Sequence, residues 1–237
     1  MSDARRRTPV IAIDGPAASG KSSTAAAVAQ ALGFVHIDSG ALYRALTWIS
    51  VTHQTDEPAR IAAIADSLHI ALRLERGSLQ LHVDGLDDVE GAIRTAAVNA
   101  HVSAIAAMPS LRDWVNVHLR DGLVGLPGAV IDGRDIGTIV VPDAELKVFL
   151  TATPAARAER RLVQRGGGVD PGLLATETAV LAERDRRDAG RVTAPLNQAP
   201  DALLLDTTAL TFADQVRRIV ELARDRGLLP QGPAGIL

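Results

Sequence analysis

A chain of 237 residues is long enough for one domain with a sizeable core, or for one domain carrying an insert. It contains no cysteine, which excludes disulfides and thiolate metal sites and makes the cytoplasm the natural compartment. A formal net charge of −3 gives no whole-chain case for a nucleic-acid or membrane partner. No apolar run approaches ~18 residues, so no membrane span is expected. Arg5-Arg6-Arg7 precedes strand-like residues and no secretory apolar segment, so it reads as a solvated tail. Aromatics make up only 3%, which leaves Leu, Ile, Val and Ala to fill the core.

Val10-Ile11-Ala12-Ile13 is a short apolar run of the kind that forms a buried strand. Gly15-Pro16-Ala17-Ala18-Ser19-Gly20-Lys21-Ser22 then fits G-x-x-x-x-G-K-[ST], and the Ala-rich stretch to Leu32 has helix propensity without a breaker. A strand, this loop and a helix in register form a phosphate-binding loop, or P-loop. Glycines let successive N–H groups point at one anion, and the helix start adds partial positive charge on the same side. Lys21 suits the outer phosphates of a nucleotide, the Ser22 hydroxyl suits a phosphate-bound Mg²⁺, and Ser23 completes the loop.

Phe34 to Asp38 predicts a second strand, ending in the capping turn Asp38-Ser39-Gly40. The helix from Ala41 to Val51 carries Tyr43 and Arg44 in its first turns, at the sheet edge where open α/β folds bind ligands. Glu57-Pro58 opens another helix to about Leu68. His69–Leu74 and Leu79–Asp84 around Gly77-Ser78 predict a hairpin, which does not belong in a simple βαβ series. Residues 57–92 are therefore expected to form a small antiparallel insert on a core of 8–56 and 93–230. His53, His69 and His82 have no metal-ligand spacing. Ala96 to Met108 is helical until Pro109, and Leu111 to Leu123 is a further helix. Ala129 to Asp132 is a core strand closing on Asp-Gly-Arg-Asp, which places two acids and an Arg at the ligand edge. After a strand at Leu146–Leu150, Pro154 starts a helix with Arg157, Arg160, Arg161 and Arg165. Gly166-Gly167-Gly168 breaks it, and Pro171 to Arg187 is a second charged helix. Residues 157–190 thus form either a mobile lid or a salt-bridged helical hairpin. Ala202–Leu205 is a last strand, Thr211–Arg226 an amphipathic helix, and the tail after Pro230 is loose.

Taken together, GPAASGKSS (15–23), DSGALYR (38–44), IRT (93–95), MPSLR (108–112), DGRDIGTIV (132–140), ERDRRDAGR (183–191) and APL (194–196) resemble the bacterial cytidylate kinases, within the nucleoside monophosphate kinases. The motifs cover nearly the whole chain in the family's order. The resemblance implies an α/β P-loop kinase core of five parallel strands flanked by helices, a small antiparallel insert in the nucleotide-acceptor region, and a short arginine-bearing lid. It implies transfer of a phosphoryl group from ATP to CMP and dCMP, with Mg²⁺ accompanying ATP; nothing in the sequence demands more than a monomer, and the charge balance gives no nucleic-acid or membrane partner.

Residue by residue, the resemblance assigns Ser39, Tyr43 and Arg44 to the frame of the acceptor nucleotide, and Arg44, Arg134 and Arg191 to its phosphate. Arginine's planar fork matches phosphate oxygens. Ser103, Arg112 and Asp135 match positions that read cytosine; a carboxylate accepts from its exocyclic amine, which uracil lacks. Arg184 and Asp188 match ribose contacts, where Asp188 can accept from one hydroxyl or both. Arg157 and Arg161 lie on the stretch that approaches the ATP phosphates and adenine, with Arg160 able to substitute. Met108 and the glycine triplet depart modestly from the family pattern. The alternatives are a P-loop kinase for UMP, AMP or another small acceptor, a nucleotide-dependent switch, and a nucleic-acid-binding ATPase. The switch lacks the usual N-K-x-D element, since neither Lys21 nor Lys147 follows an Asn. The acidic balance argues against the ATPase.

Overall fold

The apolar run before the P-loop forms β1 (Val10–Asp14), a strand buried along its whole length in this computed structural model. The structure describes residues 7–166 and 168–229; Arg5, Arg6, Gly167 and the tail from Pro230, on which sequence expectations fell, lie outside the described residues. In chain order there follow α1 (Lys21–Leu32), β2 (Val35–Asp38), α2 (Ser39–Thr52), α3 (Pro58–Ser67), β3 (Ala71–Glu75), β4 (Ser78–His82), α4 (Val89–Ile93), α5 (Ala96–Ile105) and α6 (Pro109–Gly122). Then come β5 (Ala129–Gly133), a single π-turn (Ile136–Val140), β6 (Leu146–Thr151), α7 (Pro154–Gln164), α8 (Pro171–Ala189), β7 (Leu203–Asp206) and α9 (Phe212–Asp225).

The strands form one sheet of order β3-β4-β2-β5-β1-β6-β7. β2, β5, β1, β6 and β7 are mutually parallel, as the sequence predicts. The sheet nevertheless has seven strands, because the hairpin joins it: β4 pairs parallel with β2 at His36↔Ser78 and Ile37↔Leu79, and β3 pairs antiparallel with β4. The hairpin turns at Arg76 (φ 48°) and Gly77 (φ 79°), one residue earlier than Gly77-Ser78. Two successive positive φ values give the turn that matches strand twist.

Alternation along β1 divides the core. Val10 and Ala12 pack with α2, α5 and α6 on one face, whereas Ile11 and Ile13 pack with α1 and α9 on the other. Helices thus cover both faces. Pro109 begins α6 instead of merely ending the helix before it, since a helix's first position needs no N–H. α4 is a short helix capped by Asp88 that no periodicity announces.

Candidate active site

Parallel pairing brings the carboxyl ends of β1, β2 and β5 to one edge. The register places Asp38 opposite Asp132 and Asp14 opposite Gly133. The P-loop leaves β1 there and feeds α1. Gly15 passes so close to β6 that a Cβ would overlap the Leu150 carbonyl oxygen, and Gly20 sits in the left-handed region at φ 87° as the N-cap of α1. That cap provides no side-chain hydrogen bond. By contrast α2, α3, α4, α5, α7, α8 and α9 each begin with a side-chain cap. The first amides of α1 are therefore left for an external anion.

Lys21 is buried, its Nζ 3.3 Å from the Pro16 carbonyl oxygen. Burial, and next the positive charge of Arg134, push its ammonium down to about 7. The Ser22 hydroxyl donates to Asp132 Oδ2 at 2.5 Å, and His36 Nε2 lies 2.9 Å from Asp132 Oδ1. Asp132 was visible in the sequence as a strand-end acid, but its partnership with Ser22 follows only from the strand order. Asp14 accepts from the Ile136 and Gly137 N–H groups at 2.8 Å each, and burial raises its carboxyl to about 6.

A cavity of about 640 Å³ opens over this edge. Its walls hold Ala17, Ala18, Gly20, Lys21, Ser22 and Ser23 of the loop, Ser39, Tyr43 and Arg44 of α2, and Ser103 and Arg112 of α5 and α6. Arg134 and Asp135 after β5, Arg161 of α7, and Arg184, Asp188 and Arg191 at the end of α8 complete the set brought together from the sequence. Gly15, Pro16 and Ser19 of the loop do not line it. Arg157 is not brought to the cavity; it is buried beneath the P-loop, bound to Ala17 and Asp185. Arg160 also points elsewhere, to Thr207.

The side chains that the resemblance assigns to the acceptor contact one another. Arg112 and Asp135 form a buried ion pair, with the Arg112 guanidinium 5.3 Å from the centre of the Tyr43 ring. Burial raises the Asp135 carboxyl, against the pull of Arg112. Asp188 accepts from Ser103 at 3.2 Å, Arg134 at 3.0 Å and Arg191 at 2.5 Å. Burial works to raise its carboxyl, yet Arg134, Arg191 and Arg184 together hold it below the ordinary value. Arg44 is positioned by Asn99 Oδ1 at 2.8 Å. Arg161 Nε lies 3.0 Å from Glu177 Oε1 on α8. Tyr43 Oη, Arg184 Nε and Arg191 Nε are buried without a hydrogen-bond partner, and burial lowers Arg184 to about 10. Buried polar atoms without a protein partner beside a cavity are atoms a ligand can satisfy. Arg94, Asn99, Gln164 and Arg165 also line it without having been singled out by sequence; IRT was the one signal for Arg94.

A family model described as cytidylate kinase matches residues 11–225. The cytidylate kinase of Streptomyces griseus is 42% identical over 224 residues, covering 93% of this chain and 95% of that protein. That of Burkholderia pseudomallei is 46% identical over 225 residues, covering 93% and 95%. The bifunctional pantoate ligase/cytidylate kinase of Synechococcus elongatus is 44% identical over 237 residues, covering 96% of this chain and 44% of that one.

Proposed function

Because the chain belongs to the cytidylate kinase family, we propose that it transfers the γ-phosphoryl group of ATP to CMP and dCMP, yielding ADP and the nucleoside diphosphate. The observation that carries the reading is one cavity whose lining includes Lys21 and Ser22 of the P-loop together with Ser103, Arg112 and Asp135. A phosphate-rich donor and a base-read acceptor then share one space.

In this reading ATP lies on the P-loop amides, with Lys21 on its outer phosphates. CMP lies beneath Tyr43, its phosphate held by Arg44, Arg134 and Arg191 and its ribose near Arg184 and Asp188. Asp135 accepts from the cytosine amine while Ser103 and Arg112 complete the base pocket. An acceptor phosphate oxygen attacks the γ-phosphorus in line, that P–O bond forms, and the bond to the ADP oxygen breaks. The attacking oxygen is already anionic near neutral pH, so no strong general base is required. Catalysis rests on alignment and on positive charge around the transferred group, from Lys21, Arg161 and Arg191.

Ser22 and Asp132 present hard oxygens side by side at the loop, which suits Mg²⁺. Among the described residues no cluster of three His, Cys, Asp or Glu side chains could hold a metal ion. The ion would therefore be held jointly by nucleotide oxygens, Ser22 and Asp132. When bound, it neutralises charge on the outer phosphates. Among the described residues no helix is long and apolar enough to cross a membrane; a cytoplasmic monomer acting on small nucleotides accords with the reading.

The test is ADP release from ATP against a panel of nucleoside and deoxynucleoside monophosphates. CMP and dCMP are expected to be the best acceptors. Turnover of UMP or AMP equal to that of CMP would overturn the base assignment.

A further inference from the structure

Ala17 in the P-loop is gripped by one residue of α7 and one of α8. Asp185 Oδ1 accepts from the Ala17 N–H at 3.1 Å. Arg157 Nη1 donates to the Ala17 carbonyl oxygen at 2.9 Å and to Asp185 Oδ2 at 2.6 Å, which closes a ring of three contacts. Arg157 Nε is anchored on the Ala152 carbonyl oxygen at 3.0 Å, just beyond β6. Around this ring Ala17 packs against Ala158 of α7 and Leu181 of α8.

The two backbone bonds act on the peptide groups either side of Ala17: the N–H belongs to Pro16–Ala17 and the carbonyl to Ala17–Ala18. The next residue, Ala18, is held at φ 59°. A left-handed conformation costs a non-glycine residue on the order of 1 kcal/mol and persists only where the surroundings over-determine it. Arg157 and Asp185 supply that determination, since they fix the approach of the chain into Ala18 from both sides.

We propose that Arg157 and Asp185 are positioning residues that act as one clamp on the Ala17 peptide, setting the shape of the donor phosphate loop and joining the base of the lid to it. Arg157 then serves the reaction through the loop backbone and not by touching the transferred group. The acceptor half does not depend on the clamp, because Asp188 on the same helix is held separately by Ser103, Arg134 and Arg191. The inference rests on the reading of the loop as the donor site, so its test separates donor binding from turnover.

The experiment is calorimetric titration of the full chain with ATP and Mg²⁺, and separately with CMP, for Arg157→Met, Asp185→Ala, Asp185→Asn and the double variant R157M/D185A. Removing Asp185 alone strands a buried guanidinium; the double variant removes both charges and is the form in which folding is best preserved. ATP affinity is expected to fall about tenfold in R157M and D185A, and no more than about threefold further in the double variant, because partners in one unit are not additive. Asp185→Asn keeps an oxygen for the Ala17 N–H and should lose less. CMP affinity should stay within about twofold throughout. Additive losses, undiminished ATP affinity in the folded double variant, or equal weakening of CMP would each overturn the clamp. Failure of the unaltered chain to bind ATP would remove the donor-site reading itself, whereas failure to turn over CMP despite ATP binding would strike only the acceptor assignment.

Discussion

Lys21 and Asp135 show how single residues here are tuned by burial. The Lys21 ammonium titrates near 7 because it is buried and faces Arg134. Nucleotide phosphates favour its charged form, so binding must raise that value. At pH 8 the free site holds a largely neutral Lys21 and ATP is fully ionised; binding should therefore take up a proton, and ATP affinity should decline as pH rises above about 7. At pH 6 the lysine is already charged and uptake should vanish. Titrations in buffers of different ionisation enthalpy measure this directly, and equal proton uptake at both pH values would contradict it. Lys21→Ala should abolish the uptake and collapse turnover with the fold intact, as the circular dichroism spectrum would report. Asp135→Asn tests the proposed reading of cytosine. An amide can donate to uracil as well as accept from cytosine, so the CMP-to-UMP ratio of kcat/KM should fall about tenfold or more, in line with ~1–3 kcal/mol per base contact. A preserved ratio would move the specificity elsewhere. The same change leaves Arg112 buried without its partner, at ~3–5 kcal/mol of stability.

Asp14 links elements that the sequence lists far apart. Its two carboxylate oxygens hold the π-turn that starts immediately after Asp135, and so tie β1 to the loop that carries Asp135. Asp14→Asn turns an amide NH₂ toward one backbone N–H, at ~1–3 kcal/mol. At ~2–4 °C per kcal/mol for a chain of this size, Tm should drop by several degrees at pH 7.5. Burial raises the Asp14 carboxyl to about 6, so at pH 5 the unaltered chain also carries a proton facing those N–H groups. The two proteins should then differ less at pH 5 than at pH 7.5 in thermal unfolding; a constant difference would refute the carboxylate's role. Element order was legible because β1 is continuously apolar, α1 follows a glycine-rich turn, and Pro154 and Asp38 mark helix starts. What was not legible depends on pairing across distance. The seating of β4 on β2, the Ser22–Asp132 contact and the Arg157–Asp185 contact join residues 42, 110 and 28 positions apart, with no local pattern to announce them. Arg157 was placed with Arg161 because the resemblance assigns the stretch they share to the ATP phosphates and adenine; a shared stretch does not show that Arg161 lines the cavity while Arg157 turns to Ala17 and Asp185. The π-turn has no periodicity to read at all.

At the scale of the whole molecule, the cavity concentrates charge that the chain's net −3 conceals. Lys21, Arg44, Arg94, Arg112, Arg134, Arg161, Arg165, Arg184 and Arg191 face Asp38, Asp132, Asp135 and Asp188, nine basic side chains against four carboxylates. Burial lowers Arg44, Arg161, Arg184 and Arg191, and in each case the charge of a neighbouring arginine adds to the effect. These cations repel one another, and a polyphosphate would relieve that repulsion. A ligand bridging adenosine and cytidine through a chain of phosphates should stabilise the protein more than ATP or CMP alone, since it meets both halves without a second loss of translational freedom. At a free concentration about 100 times its Kd the gain is ~2.7 kcal/mol, or about 5–10 °C in Tm. Adenosine and cytidine without phosphates should give far smaller shifts at equal concentration. In 1 M salt the screening length shortens to ~3 Å, and the advantage of the phosphates should shrink accordingly. Equal shifts from the bridged ligand and the free nucleosides would mean that the arginines serve packing and not anion capture, and the two-nucleotide reading of the cavity would fall.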